Sequence, residues 1–172
     1  MRPTAAPDYL AGYPPALVEP VRRRLADGTL GGVLRQRYPR MHAVRTDKAL
    51  YDYVQELKDE HLRNTPPLSK VAFDGKLRVV GQALGTHTRI ARVQGARLKS
   101  KNEIRIAAVF REMPEEFLRM IVVHELAHLR IRDHEKEFYR LCQYMEPAYH
   151  QLEFDARVWL TWLEAEDKRS GG

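Results

Sequence analysis

At 172 residues and 20.0 kDa the chain has room for one domain with one core, and its 44% hydrophobic, 30% charged composition excludes a disordered or fibrous protein. Cys142 is the sole cysteine, so no intrachain disulfide forms, and residues 1–20 hold no apolar signal core, nor does any stretch approach the roughly 18 apolar residues of a membrane span. The expectation is a cytoplasmic protein with no membrane partner. The net charge of +6 is uneven: residues 1–101 carry 19 Lys and Arg against 9 Asp and Glu, whereas residues 102–172 carry 10 against 14.

The first 15 residues are rich in proline and show no periodicity. Leu17, Val21 and Leu25 then recur at helical spacing, which predicts a short helix beginning near Pro20 and ending at Gly28, with Arg22, Arg23 and Arg24 on its wet side. A second short helix is expected from Leu30 to Tyr38. Thr46 or Asp47 caps a longer one whose inner face carries Leu50, Val54, Leu57 and His61, and Pro66-Pro67 lies beyond its end. Residues 1–45 are read as a partly helical extension and 46–172 as the main domain, the two forming one unit. Phe73-Asp74-Gly75-Lys76 fits either a hairpin turn or a cap on a helix bearing Leu77, Val80, Ala83 and Leu84; Gly85 as a stop favours the helix. Residues 88–93 and 103–109 alternate apolar and polar side chains, which predicts two antiparallel strands, one of them an edge bordering a cleft. Between Thr86 and Lys101 stand Arg89, Arg92, Arg97, Lys99 and Lys101 with no acidic residue, either a solvated face or a site for acidic peptides, nucleotides or nucleic acid.

The most informative stretch follows. Pro114, with Glu115 and Glu116 in the first turn, opens a helix that runs to about Arg132 and contains His124-Glu125-Leu126-Ala127-His128. Histidines at i and i+4 project from one helix face, the bite that one zinc ion needs, and Glu125 stands about 100° round the axis, beside the ion rather than on it. Such a motif arises by chance in some helices. Here Ile121, Val122, Val123, Leu126, Ala127 and Leu129 make the surroundings apolar, so the histidines need a buried purpose, and three of the seven histidines fall in this stretch. His134 is the candidate third ligand, carried back by a turn at Asp133 while Phe138, Leu141, Cys142 and Met145 anchor the next helix. Glu146-Pro147 stops that helix. A last helix buries Leu152, Ala156, Trp159, Leu160 and Leu163, with residues 164–172 frayed. The fold class is therefore α+β, a small antiparallel sheet packed on the motif helix with additional helices.

These residues imply metal-assisted hydrolysis. A catalytic zinc, one per chain, keeps three protein ligands and one open position, and Glu125 serves as general base to the water there. Tyr149, His150 and Tyr144 are candidates to donate a hydrogen bond to a transition state, although Tyr149 also suits a structural turn; Asp133, Glu137, Glu146 and Asp155 are available to orient the histidines. Peptide hydrolysis is the first expectation. Phosphoanhydride or nucleotide hydrolysis, with the basic run clamping phosphate, is the alternative, and a non-catalytic zinc module binding nucleic acid through the basic half is a third.

His124-Glu125-Leu126-Ala127-His128, five residues, His134 and Phe138 together resemble the YgjP-like metallopeptidase domain, a bacterial zincin family related to the SprT-like proteases. Glu103-Ile104-Arg105-Ile106-Ala107 resembles the family's strand, and Glu146-Pro147-Ala148-Tyr149 its downstream Pro-x-Tyr segment. The resemblance spans about residues 46–163 and implies a zincin-like fold with a peptide or protein substrate. Where the family has Arg-Trp-Gly-Ser, this chain reads Val93-Gln94-Gly95-Ala96, and only Gly95 agrees.

Overall fold

The computed structural model describes residues 7–77 and 102–171. Among the described residues, six α-helices, α1 (Pro15–Ala26), α2 (Leu30–Arg37), α3 (Asp47–His61), α4 (Glu115–Ala127), α5 (Lys136–Met145) and α6 (Tyr149–Ser170), and a short 3-10 helix (Ala108–Glu112) accompany two strands, β1 (Lys70–Asp74) and β2 (Glu103–Ala107). The architecture is α+β.

The two strands run parallel, with Val71 opposite Ile104 and Phe73 opposite Ile106. All four side chains are buried. The parallel partner of β2 is a strand the sequence reading did not expect, and the antiparallel pairing expected for residues 88–93 with 103–109 falls in part on residues outside those described. The sequence alternates at Val71 and Phe73 as a strand should, but the segment is only five residues long and follows a proline pair, so its signal is short. The expected partner strand 88–93, the helix expected beyond Leu77, and Arg89, Arg92, Arg97, Lys99 and Lys101 lie outside the described residues. Asp74, expected as a helix cap, is the last residue of β1. Its carboxylate accepts from the Lys76 backbone N–H at 2.8 Å and pairs with Arg105 of β2 at 2.9 Å.

Local chemistry sets most helix bounds. Thr46 Oγ1 caps α3 by accepting from Ala49 N at 3.1 Å, and Asp47 Oδ1 reaches across to the Phe73 N–H at 2.9 Å, tying the start of α3 to β1. α1 begins at Pro15 rather than near Pro20. Pro20 lies inside the helix and forgoes one backbone bond, and Gly28 closes the segment with a φ of +79° that a side chain would resist. α6 continues to Ser170, past the point where fraying was expected, helped by Glu164–Lys168 and Glu166–Arg169 pairs along its surface.

α4 is the axis of the molecule. Ten of its thirteen residues are buried, Phe117 through Ala127 with only Arg119 outside, so it is covered on every side. The leading segment supplies part of that cover. Tyr38 packs its ring on Phe117 at 4.6 Å and bonds its hydroxyl to the buried Asp155 carboxylate on α6. The Arg40 carbonyl accepts from Glu115 N at 3.1 Å, Met41 bridges to Pro114, and His42 Nε2–H donates to the Phe110 carbonyl at 2.8 Å. Leu10, Leu30, Leu34 and Tyr38 belong to the same core as Phe117 and Trp159. α2 meets α6 through Gly31, where the Trp162 indole occupies the space a methyl group would fill.

Candidate metal centre

α4 ends at Ala127, one turn earlier than its apolar pattern suggests, with His128 as its C-cap in helical conformation. The chain then tightens: Leu129 N donates to Leu126 O at 3.0 Å and Ile131 N to Ala127 O at 3.0 Å. This turn brings the Ile131 carbonyl back to His128, whose Nδ1–H donates to it at 3.0 Å. The early stop thus follows from the side chains, since Arg130 and Arg132 gain nothing by remaining on a buried helix while the freed carbonyl gives His128 a partner.

The three expected histidines come together. Nε2 of His124 lies 3.2 Å from Nε2 of His128 and 3.2 Å from Nε2 of His134, and the last two are 3.0 Å apart. His124 and His128 are buried, at 6% and 7% exposure, while His134 is exposed and closes the cluster from the solvent side. Phe138 of α5 packs against all three imidazoles, with ring centroids 5.0, 4.4 and 5.0 Å away. Among the described residues this is the one group of three or more metal-ligating side chains with converging donor atoms.

The donor set fits a divalent ion. The Ile131 carbonyl fixes the proton of His128 on Nδ1, which leaves its Nε2 as a lone pair aimed at two other nitrogens. Three bare Nε2 lone pairs converging at 3.0–3.2 Å repel one another unless a cation or a shared proton lies among them. Nitrogen ligands about 2.0–2.1 Å from a tetrahedral zinc stand about 3.3–3.4 Å apart, within a few tenths of an ångström of the observed edges. Glu125 follows His124 on α4 and is buried beside this cluster, at 6% exposure.

The groups behind the histidines differ from the carboxylates suggested by the sequence. His124 Nδ1 meets the Tyr149 hydroxyl at 2.7 Å, so Tyr149, fully buried at the start of α6, is on the far side of the imidazole from the Nε2 cluster. That place suits a group that orients the His124 ring rather than one that faces the Nε2 cluster. Burial, reinforced by the charge of Glu153, pushes the Tyr149 phenol well above its ordinary range. Asp155 is committed to Tyr38, to Arg37 at 3.4 Å and to Gln151 at 3.0 Å, and Glu146 pairs with Arg119 at 3.7 Å. Asp133 and Glu137 are exposed. Tyr144 is 66% exposed and stacks edge-on with His61, while His150 is exposed beside Tyr139. Sequence reasoning missed the Ile131 carbonyl, which no side-chain pattern reports, and weighed Glu153 only as a substitute third ligand, whereas it lies 3.6 Å from Arg157 on α6.

A family model described as YgjP-like, metallopeptidase domain, matches residues 74–156. The chain is also 58% identical over 155 residues, 90% of its own length and 93% of the relative's, to a protein of Escherichia coli (strain K12) named UTP pyrophosphatase. The chain belongs to the YgjP-like family. No solved structure matches it. The matched region of this YgjP-like chain contains all three histidines, Glu125, Tyr149 and Glu153, but not α1, α2 or α3. Among the described residues no helix is long and apolar enough to cross a membrane.

Proposed function

We propose that this YgjP-like protein is a zinc-dependent hydrolase that cleaves a phosphoanhydride of UTP and releases pyrophosphate, with one zinc held by His124, His128 and His134. The observation that carries the reading is the convergence of three Nε2 atoms at 3.0–3.2 Å beside a buried glutamate in a chain 58% identical to a protein named UTP pyrophosphatase. A zinc there supplies Lewis acidity and brings the pKa of a bound water from 15.7 to about 7. Glu125 takes the proton of the attacking water. Pyrophosphate leaves as a stable anion, so Glu125 need not return that proton to the leaving group, whereas an amine expelled from a peptide must receive one. Arg89, Arg92, Arg97, Lys99 and Lys101 take the triphosphate charge in this reading.

A second reading, peptide hydrolysis in a zincin-like fold, is favoured by the same His-Glu-x-x-His helix and by the family's description. One experiment separates them. Zinc-loaded wild type and Glu125→Gln are assayed for pyrophosphate release from UTP and for cleavage of a peptide library. The expected result is UTP turnover by the wild type, lost by about a hundredfold or more in Glu125→Gln while zinc content and thermal midpoint are retained. Cleavage of peptides with UTP untouched would replace this reading by the second, and turnover retained in zinc-loaded Glu125→Gln would remove the role given to the glutamate.

A further inference from the structure

The loop before α1 and the middle of α6 frame a cavity of about 270 Å³, open to solvent, to which the reaction above gives no task. Its walls are Ala11, Gly12, Tyr13, Glu153 and Arg157. Sites that take a whole drug-sized ligand measure roughly 300–1,000 Å³, so this one has room for a ring but not for an entire nucleotide. Two of its walls are charged. Arg157 is 3% exposed, and its Nη2 stands 3.6 Å from Oε1 of Glu153, longer than a direct hydrogen bond. Its Nη1 donates to the Tyr9 carbonyl at 3.1 Å, which fixes the guanidinium against the leading loop. Tyr13 is the third wall: its ring packs on Phe154 at 5.0 Å and turns a face to the Arg157 guanidinium at 5.8 Å.

One guanidinium beside one carboxylate leaves the cavity without net charge, so a phosphate gains little there: Glu153 offsets the attraction of Arg157. The pair suits a neutral ligand that offers an acceptor and a donor side by side. A nucleobase edge is such a ligand, and its pattern has a sense. In uracil a ring N–H lies between two carbonyls, so Glu153 accepts from that N–H while Arg157 donates to the neighbouring oxygen. In cytosine and adenine the matching ring nitrogen accepts and the exocyclic group donates, which sets a lone pair against Glu153 and N–H groups against Arg157. Guanine shares the pattern of uracil but carries a second ring. We propose that this cavity takes the uracil base of the substrate, with Glu153 and Arg157 reading its edge and Tyr13 stacking on its face. Glu153 stands one helical turn, about 5.4 Å, along α6 from Tyr149, whose hydroxyl meets His124 at 2.7 Å, so the cavity neighbours the metal centre. The choice of uracil rests on the UTP reading above, whereas the edge pattern that the walls demand does not.

The test titrates the full chain, without zinc, with uridine, cytidine and guanosine, none of which carries a phosphate, and follows the Tyr13 ring and Arg157 guanidinium signals by NMR. Uridine should shift both saturably, and cytidine should bind about tenfold or more weakly. Guanosine should also bind more weakly than uridine, and guanosine held as tightly would overturn the choice of uracil. Glutamine donates as readily as it accepts, so in Glu153→Gln the preference for uridine over cytidine should fall by about tenfold. Tyr13→Ala should weaken uridine by about tenfold or more and keep the preference. Absence of a saturable shift at Tyr13 and Arg157, or a preference unmoved in folded Glu153→Gln, would overturn the proposal. If Glu153→Gln does not fold, an unchanged uridine affinity in Tyr13→Ala does the same. Uridine bound in the cavity of a zinc-loaded chain that leaves UTP intact would sink the hydrolytic reading and leave the base site standing; UTP turnover with no uridine at Tyr13 and Arg157 would do the reverse.

Discussion

His134 is held differently from the other two histidines. His124 and His128 are buried on one turn of α4 and tied to Tyr149 and Ile131, whereas His134 is exposed and packs on Phe138 and Tyr139. His134→Ala should therefore leave the metal-free protein within about 0.5 kcal/mol of wild-type stability. Zinc should raise the thermal midpoint of the wild type, and in His134→Ala that rise should shrink sharply, since two nitrogen ligands hold an ion far less well than three. Melting curves with and without zinc check this, and an undiminished zinc effect would place the third ligand elsewhere. The trio itself was legible because histidines at i, i+4 and i+10 on an apolar background have few other uses. What surrounds it was not. The Ile131 carbonyl is backbone, and Tyr149 announces itself only as a residue in a proline turn.

Between α2 and α6 the chain uses a glycine for close approach. A methyl group on Gly31 would lie 2.8–2.9 Å from the Trp162 indole, which is rigid and already flanked by Arg35 at 4.9 Å and Trp159 at 5.3 Å. Gly31→Ala should destabilise by about 1–3 kcal/mol through overpacking. Gly32→Ala meets open space and should instead stabilise by roughly 0.5–1 kcal/mol, as alanine does in a helix interior. Denaturant midpoints of the two variants should move in opposite directions; a shift of both the same way would remove the indole contact as the cause. In the sequence the pair Gly31-Gly32 reads as an interruption, because spacing cannot tell a break from a helix that needs one residue without a side chain. β1 and its parallel pairing were hidden for a related reason. Strand direction is settled by the connection between the strands and by packing of α3 on β1, and neither is a local property of five residues.

Across the whole molecule, burial lifts several groups that ionise in alkali. It raises the Cys142 thiol from 9.0 to about 12, and holds the Tyr38 and Tyr53 phenols above their ordinary 10.0, Tyr38 also through its bond to Asp155. Each binds its proton more tightly folded than unfolded. Their contribution is fully present below these ordinary values and is lost as pH rises through about 9–10 toward the folded values. Denaturant midpoints measured from pH 8 to pH 11 should fall steadily from about pH 9 upward. A flat or rising profile would contradict the burial of these groups. The general class of the fold, helices around a small sheet, could be read from periodicity alone. That residues 1–45 form one unit with the rest was expected; which of their groups meet α4 and α6 was not, since Tyr38, the end of an expected helix, and Arg40 show their part only when Phe117, Asp155 and Glu115 are set against them.

The contact between Tyr38 and Asp155 joins positions 117 residues apart, and that between Arg157 and Tyr9 joins positions 148 apart. During synthesis at about 5–20 residues per second, roughly 6 to 23 s separate the appearance of Tyr38 from that of Asp155. For that interval Leu30, Leu34 and Tyr38 have no α6 to cover them, and the nascent chain presents an apolar helix flanked by arginines to whatever is near. The arrangement that seals α4 in the finished protein makes the beginning of the chain wait for its end.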